Sequence, residues 1–179
     1  PIVASDPDKN LKTDLGDRDL TRLFTGETTV TVTDQRIGSL AVTKNVVVVD
    51  DTSSDRPDPD ASYRVTVTLA LDGKPINDAV ACEDSAHELQ SVLFENGKAV
   101  LSLKADQTIT FPDLPAGTVW TVKETETLSS DRWRTAVTVN GQSSPLTASG
   151  TIARADRDAV VITNRYAHYD KYAAAVTEQ

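Results

Sequence analysis

The 179-residue chain has no methionine, one cysteine and two histidines, and aromatic residues make up 5% of it. A single cysteine, Cys82, excludes an intrachain disulfide and a multi-cysteine zinc site. With His87 and His168 as the other soft ligands, the sequence holds no metal-ligand cluster, and it lacks a Ser/His/Asp array and a phosphate-cradling glycine loop. No cofactor is implied, and a turnover enzyme is the least supported class. No apolar run approaches the roughly 18 residues of a spanning helix. No charged-then-apolar leader opens the sequence, which therefore reads as a mature or trimmed fragment. Basic residues are also scarce: 18 Lys and Arg face 27 Asp and Glu, a formal net charge of -9. That sign repels phosphate backbones and anionic lipid, so neither nucleic acid nor membrane insertion is expected.

Hydrophobic residues at 39% and charged residues at 25% are ordinary for a globular chain, and the length suits about one domain with an appendage. After residue 28, apolar residues alternate with period two, and a sustained helical pattern is missing. The alternation predicts strands over 28–34, 39–49, 63–71, 91–94, 99–103, 108–111, 119–125, 135–139, 150–153 and 159–166. Turn pairs separate them: Asp72-Gly73, Asn96-Gly97, Asn140-Gly141, and the longer Pro115-Ala116-Gly117. Many short strands at such spacing make an all-β sandwich rather than a parallel α/β sheet.

Several segments fall outside this pattern. Residues 1–26 are polar and Asp-rich, with a short helix start at best over 14–20, and read as an appendage. Residues 50–60 are acidic and carry Pro57 and Pro59; they lack the glycine and terminal glutamate of a calcium loop, so a solvated connection is expected there. Residues 82–91 fit either one helical turn or a long loop. Cys82 is a candidate nucleophile by type, but Glu83 and Asp84 beside it disfavour the thiolate, which makes it an incidental residue. A weak repeat lays residues 30–36 on 160–166, as two domain ends or as strands of similar composition.

Residues two apart on a strand share a face, which groups Leu40, Val42, Lys44, Val46 and Val48. The same count groups Trp120, Val122 and Glu124, and Val160, Ile162, Asn164 and Tyr166. Each of these apolar faces carries one polar group, and burying such groups unpaired is costly, so the three are expected to meet. Meeting has two readings. One is a buried Lys44–Glu124 ion pair hydrogen-bonded to Asn164. The other is chemical: desolvation turns a lysine into a neutral amine nucleophile and keeps a carboxyl protonated. Lys44 Nζ would then attack the side-chain carbonyl of Asn164 while Glu124 polarises the amide oxygen and shuttles a proton to departing ammonia. The product is an intramolecular isopeptide bond, driven by proximity alone.

Four strings give this pattern a family: residues 40–44 (LAVTK), 94–99 (FENGKA), 114–125 (LPAGTVWTVKET) and 161–166 (VITNRY). In this order they resemble the CnaB-like, B-type immunoglobulin-like domains of Gram-positive surface proteins and sortase-assembled pilins. The resemblance implies an immunoglobulin-like β-sandwich over 39–166; outside it lie an N-terminal extension over 1–38, which the weak repeat reads as the last strand of a preceding domain or as a strand of similar composition, and a tail or linker over 167–179. It also implies that Lys44 of the first strand is joined to Asn164 of the last, with Glu124 as the catalytic acid. Two positions depart from the family: Trp120 stands where a tyrosine is usual, and the loop 128–133 lacks the common Gly-aromatic ending. Asp34 aligns with Asn164 in the weak repeat, and an aspartic acid can serve as acyl partner with loss of water. Lys9 and Lys12 lie near it in sequence, but no second inward glutamate accompanies them, so no second crosslink is expected.

The function this implies is a non-enzymatic stalk or spacer on the cell surface or cell wall, its chemistry spent in one event per chain. Its expected partners are neighbouring domains of the same surface protein or pilus. The alternative is an adhesin module that presents loops 50–60 or 82–91 to a host protein or glycan.

Overall fold

A computed structural model describes residues 2–5, 29–32, 37–49, 57–125 and 132–167. Lys9, Lys12, Asp34, residues 50–56 of the acidic segment, residues 126–131 and the tail from 168 lie outside them, as does the helix start considered at 14–20. Two compact units divide the chain, Pro1–Gln35 and Arg36–Gln179. In the first, β1 (Ile2–Ser5) pairs antiparallel with β2 (Thr29–Val32), with Ile2 opposite Val32. β2 falls within the strand expected over 28–34, whereas β1 lies where the sequence reading saw only a polar appendage. The run Ile2-Val3-Ala4 supplies the β-forming residues.

The second unit is all strand among the described residues: β3 (Ile37–Val48), β4 (Ser62–Leu71), β5 (Lys74–Pro75), β6 (Ala79–Asp84), β7 (Leu89–Leu93), β8 (Lys98–Lys104), β9 (Gln107–Pro115), β10 (Val119–Glu124), β11 (Trp133–Val139), β12 (Gln142–Ser144), β13 (Thr147–Thr151) and β14 (Arg157–Tyr166). One sheet runs β12-β11-β14-β3-β9-β6-β7; the other runs β13-β10-β4-β5, with β8 also paired to β4. Their inner faces enclose Leu40, Val42, Val65, Val67, Leu69, Phe94, Phe111, Trp120, Val122, Val160 and Ile162, all buried. Phe94 and Phe111 meet edge to face, with centroids 5.8 Å apart. This is an immunoglobulin-like sandwich, in which each strand gives alternate side chains to one core.

Turn chemistry sets the register. Asp72-Gly73, Asn96-Gly97 and Asn140-Gly141 all have positive φ at both positions, between 51° and 79°, the geometry of two-residue hairpins that match strand twist. The first and last strands of the unit, β3 and β14, lie side by side and parallel, from Ser39 opposite Arg157 to Val48 opposite Tyr166.

Three features differ from the sequence reading. Residues 82–91 form neither a helical turn nor a long loop: β6 and β7 are a hairpin closed by Asp84, whose Oδ1 accepts from the amides of Ala86 at 2.8 Å and Glu88 at 3.1 Å. The strand expected over 150–153 is shifted to β13, because Gly150 is seated against the Trp120 ring and Ile152 N turns to bond Thr118 O at 2.9 Å. The short strands β5 and β12 escaped notice, being too brief to show a period.

Candidate functional site

Lys44, Glu124 and Asn164 come together at one end of the sandwich interior. The alternation that buries Leu40 and Val42 on β3 also buries Lys44, and that of Val160 and Ile162 on β14 also buries Asn164; both polar residues are fully buried. Glu124 follows Trp120 and Val122 on β10 of the opposite sheet and reaches across the core, its side chain 8% exposed. Glu124 Oε1 accepts a hydrogen bond from Asn164 Nδ2 at 2.9 Å and lies 3.5 Å from Lys44 Nζ. One carboxylate oxygen therefore touches both the amine and the amide nitrogen.

The surroundings are dry and partly aromatic. Lys44 Nζ sits 4.8 Å from the centre of the Tyr63 ring and donates to Asn45 O at 3.3 Å. Burial pushes the Lys44 ammonium down from 10.5 to about 8, against the pull of the Glu124 carboxylate, which favours the charged form. Tyr63 is pushed above its ordinary value, by burial first and then by Glu124 and Asp58. Glu124 Oε2 is buried with no hydrogen-bond partner among the described residues. A cavity of about 260 Å3, lined by Asp58, Ser62, Tyr63, Arg64, Glu124 and Trp133, leads to this carboxyl.

Sequence reasoning placed Glu124 on the amide oxygen, but its contact is with the amide nitrogen. The oxygen is held instead by Thr135 of β11, whose Oγ1 donates to Asn164 Oδ1 at 2.9 Å. Thr135 lies directly opposite Asn164 in the antiparallel β11–β14 pair, and opposite residues share a face. Thr135 shares a strand face with Val137 and Val139, and that spacing was visible in the sequence; the strand pairing that brings it to Asn164 was not.

Of the other candidates, only Asp58 borders this site, as part of the cavity wall. Cys82 is buried in the core, and its thiol is pushed up by burial and by Asp84, away from the reactive thiolate. Asp58 and Asp60 are the described carboxylates of the acidic segment; Asp58 Oδ1 accepts from the Asp60 amide, and Asp60 pairs with Lys104 at 3.2 Å. Trp120, the departure from the family's tyrosine, is a buried core residue whose Nε1 donates to Asp158 Oδ2 at 2.8 Å. No group of three or more His, Cys, Asp or Glu suited to a metal occurs among the described residues.

Solved structures that share the fold include pilus proteins. The unit is similar to the pilus-presented adhesin Spy0125 (Cpa) of Streptococcus pyogenes, with 22% identity and a TM-score of 0.54 over 73% of this chain and 27% of that one. It is also similar to the major pilin T3.2 of Streptococcus pyogenes, at 20% identity and TM-score 0.56, covering 78% of this chain and 52% of that one. The major pilin T-13 of the same organism gives 16% identity and TM-score 0.52, again covering 78% and 52%. The chain thus spans between about a quarter and a half of the length of these proteins. No curated protein matches it by sequence. A family model described as Domain of unknown function (DUF7601) matches residues 38–166, the stretch that holds the sandwich and all three polar residues. The chain belongs to that family, and this stretch has the immunoglobulin-like fold seen in those pilus proteins.

Proposed function

We propose that this domain is a structural stalk or spacer of a Gram-positive surface protein or pilus, tied internally by a self-formed isopeptide bond between Lys44 and Asn164. The observation that carries the proposal is the position of Glu124 Oε1, within 3.5 Å of Nζ and 2.9 Å of Nδ2. A lysine held down at about 8 supplies free amine near neutral pH, and its Nζ attacks Asn164 Cγ. The Cγ–Nδ2 bond then breaks. Two protons leave the Lys44 ammonium and two arrive on the departing nitrogen, relayed through Oε1, so that ammonium leaves and Glu124 ends as it began. Proximity in a packed core makes the reaction effectively unimolecular.

The parallel pairing of β3 and β14 gives the bond its mechanical sense. Tension applied before Ile37 and after Tyr166 pulls β3 and β14 in opposite directions and shears ten facing residue pairs at once. A Lys44–Asn164 tie carries that load covalently and bypasses every strand between. The partners are neighbouring domains of the same surface protein or pilus subunits, and the place of action is outside the cell, where such a tie replaces the disulfides that a single cysteine cannot supply.

Intact-mass measurement of the denatured protein tests the proposal. A deficit of about 17 Da in the wild type, absent from Glu124→Ala and Lys44→Ala, is expected for loss of one ammonia. Full calculated mass in the wild type would leave a buried ion pair and an ordinary sandwich. A further deficit of about 18 Da would mean that Asp34 is joined as well, by loss of water.

A further inference from the structure

We propose that Thr135 is the oxyanion donor of the crosslinking reaction, an inference that rests on the crosslink reading above. When Nζ attacks Asn164 Cγ, the carbonyl π pair moves onto Oδ1, and that atom becomes the site of developing negative charge. Glu124 does not contact it, since its Oε1 is bonded to the nitrogen side of the same carboxamide. The Thr135 hydroxyl does, at 2.9 Å. The two ends of the amide are thus held by two chemically different groups. The carboxyl handles protons at the leaving nitrogen, while the hydroxyl stabilises charge at the oxygen. The tetrahedral intermediate then collapses, the pair on Oδ1 re-forms the carbonyl, and the Cγ–Nδ2 bond breaks. Thr135 keeps its proton throughout and is unchanged at the end.

Local structure makes this donor rigid. Thr135 faces Asn164 across the β11–β14 ladder, with Trp133 opposite Tyr166 on one side and Val137 opposite Ile162 on the other. Trp133 and Tyr166 pack edge to face with centroids 5.2 Å apart, and Val137 and Ile162 are buried. A β-branched side chain between two packed pairs has little χ1 freedom, so its hydroxyl is aimed before reaction begins. A preset donor that strengthens its bond as charge develops favours the transition state over the ground state.

The test compares Thr135→Val, which keeps the shape and removes the hydroxyl, with Thr135→Ser, which keeps the hydroxyl. Each protein is made by cell-free synthesis, stopped in denaturant at timed intervals, and scored for the loss of about 17 Da. Thr135→Val is expected to crosslink about 10- to 100-fold more slowly than wild type, and Thr135→Ser within a few-fold of it. The pH midpoint of the Thr135→Val rate should stay where it is in the wild type, because the surroundings of Lys44 are unaltered. The same two substitutions in a Glu124→Ala background, where no bond forms, report folding separately through their unfolding midpoints. Should Thr135→Val not fold, Thr135→Ala carries the comparison. A wild-type rate in Thr135→Val, or an equal slowing in Thr135→Ser, would overturn the assignment while leaving the crosslink intact. A wild type of full mass would instead overturn the crosslink reading, and this one with it.

Discussion

Blocking the crosslink should leave a lysine whose burial is readable as a pH-dependent stability. In Asn164→Ala the bond cannot form, and Lys44 remains between the Tyr63 ring and Glu124. Its folded value of about 8 lies below the 10.5 of an exposed lysine. Below about pH 8 both the folded and the unfolded chain hold the proton, and the cost of burying an ammonium is present in full. Between about 8 and 10.5 the unfolded chain holds a proton that the folded one lacks, so stability rises with pH. At roughly 1.4 kcal/mol per unit, the gap allows about 2 kcal/mol of gain between about pH 8 and 10, or roughly 8 °C in Tm for a domain of this size. Tyr63, pushed above its ordinary 10, opposes this only at higher pH, once the unfolded chain begins to ionise. The assay is thermal unfolding of Asn164→Ala, the wild type and Lys44→Met/Asn164→Ala in steps of pH. The single variant should climb while the other two lack that climb, the wild type because the proposed bond turns its lysine into an amide and the double variant because it has no amine. A flat or falling curve in Asn164→Ala would refute the reasoning that burial holds Lys44 below its ordinary value.

Other outcomes follow from the packing. Gly150→Ala puts a Cβ 2.5 Å from the fully buried Trp120 ring and should cost about 1–3 kcal/mol by denaturant unfolding. Gly97→Ala should cost about 1–3 kcal/mol in the same assay, because its φ of +73° is strained for a side chain and the new Cβ would meet Leu69 O at 2.8 Å. Trp120→Phe removes the donor to Asp158 along with part of the core and is expected to lose about 1–3 kcal/mol. Cys82, buried with its thiol pushed up, should resist iodoacetamide in the native protein and react fully in denaturant; labelling at equal rates would contradict its burial.

The legible part of the fold was the part with a period. Strands buried on one face, such as β3, β4, β10 and β14, place an apolar residue at every second position over most of their length, apart from Lys44, Glu124 and Asn164, and their positions could be read directly. The β6–β7 hairpin could be read only in part, through the strand expected over 91–94, because just Val80, Cys82 and Val92 turn toward the core while Leu89 and Leu93 are exposed and blur the alternation. There the organising force is local, the Asp84 carboxylate bonding the amides of Ala86 and Glu88.

The site divides along the same line. Lys44, Glu124 and Asn164 stood out because each interrupts an apolar face, and a one-sequence argument about burial cost is enough to bring such groups together. Thr135 interrupts nothing: a threonine beside valines is ordinary in a strand, and its meaning depends on register. Register comes from pairings such as Thr135 opposite Asn164, fixed by the whole of β11 and β14 rather than by either residue. The assignment of roles depended on it too. With three groups known, Glu124 had to serve both ends of the amide. With Thr135 on the oxygen, Glu124 contacts the nitrogen alone, next to the amine whose protons it would move in the proposed reaction.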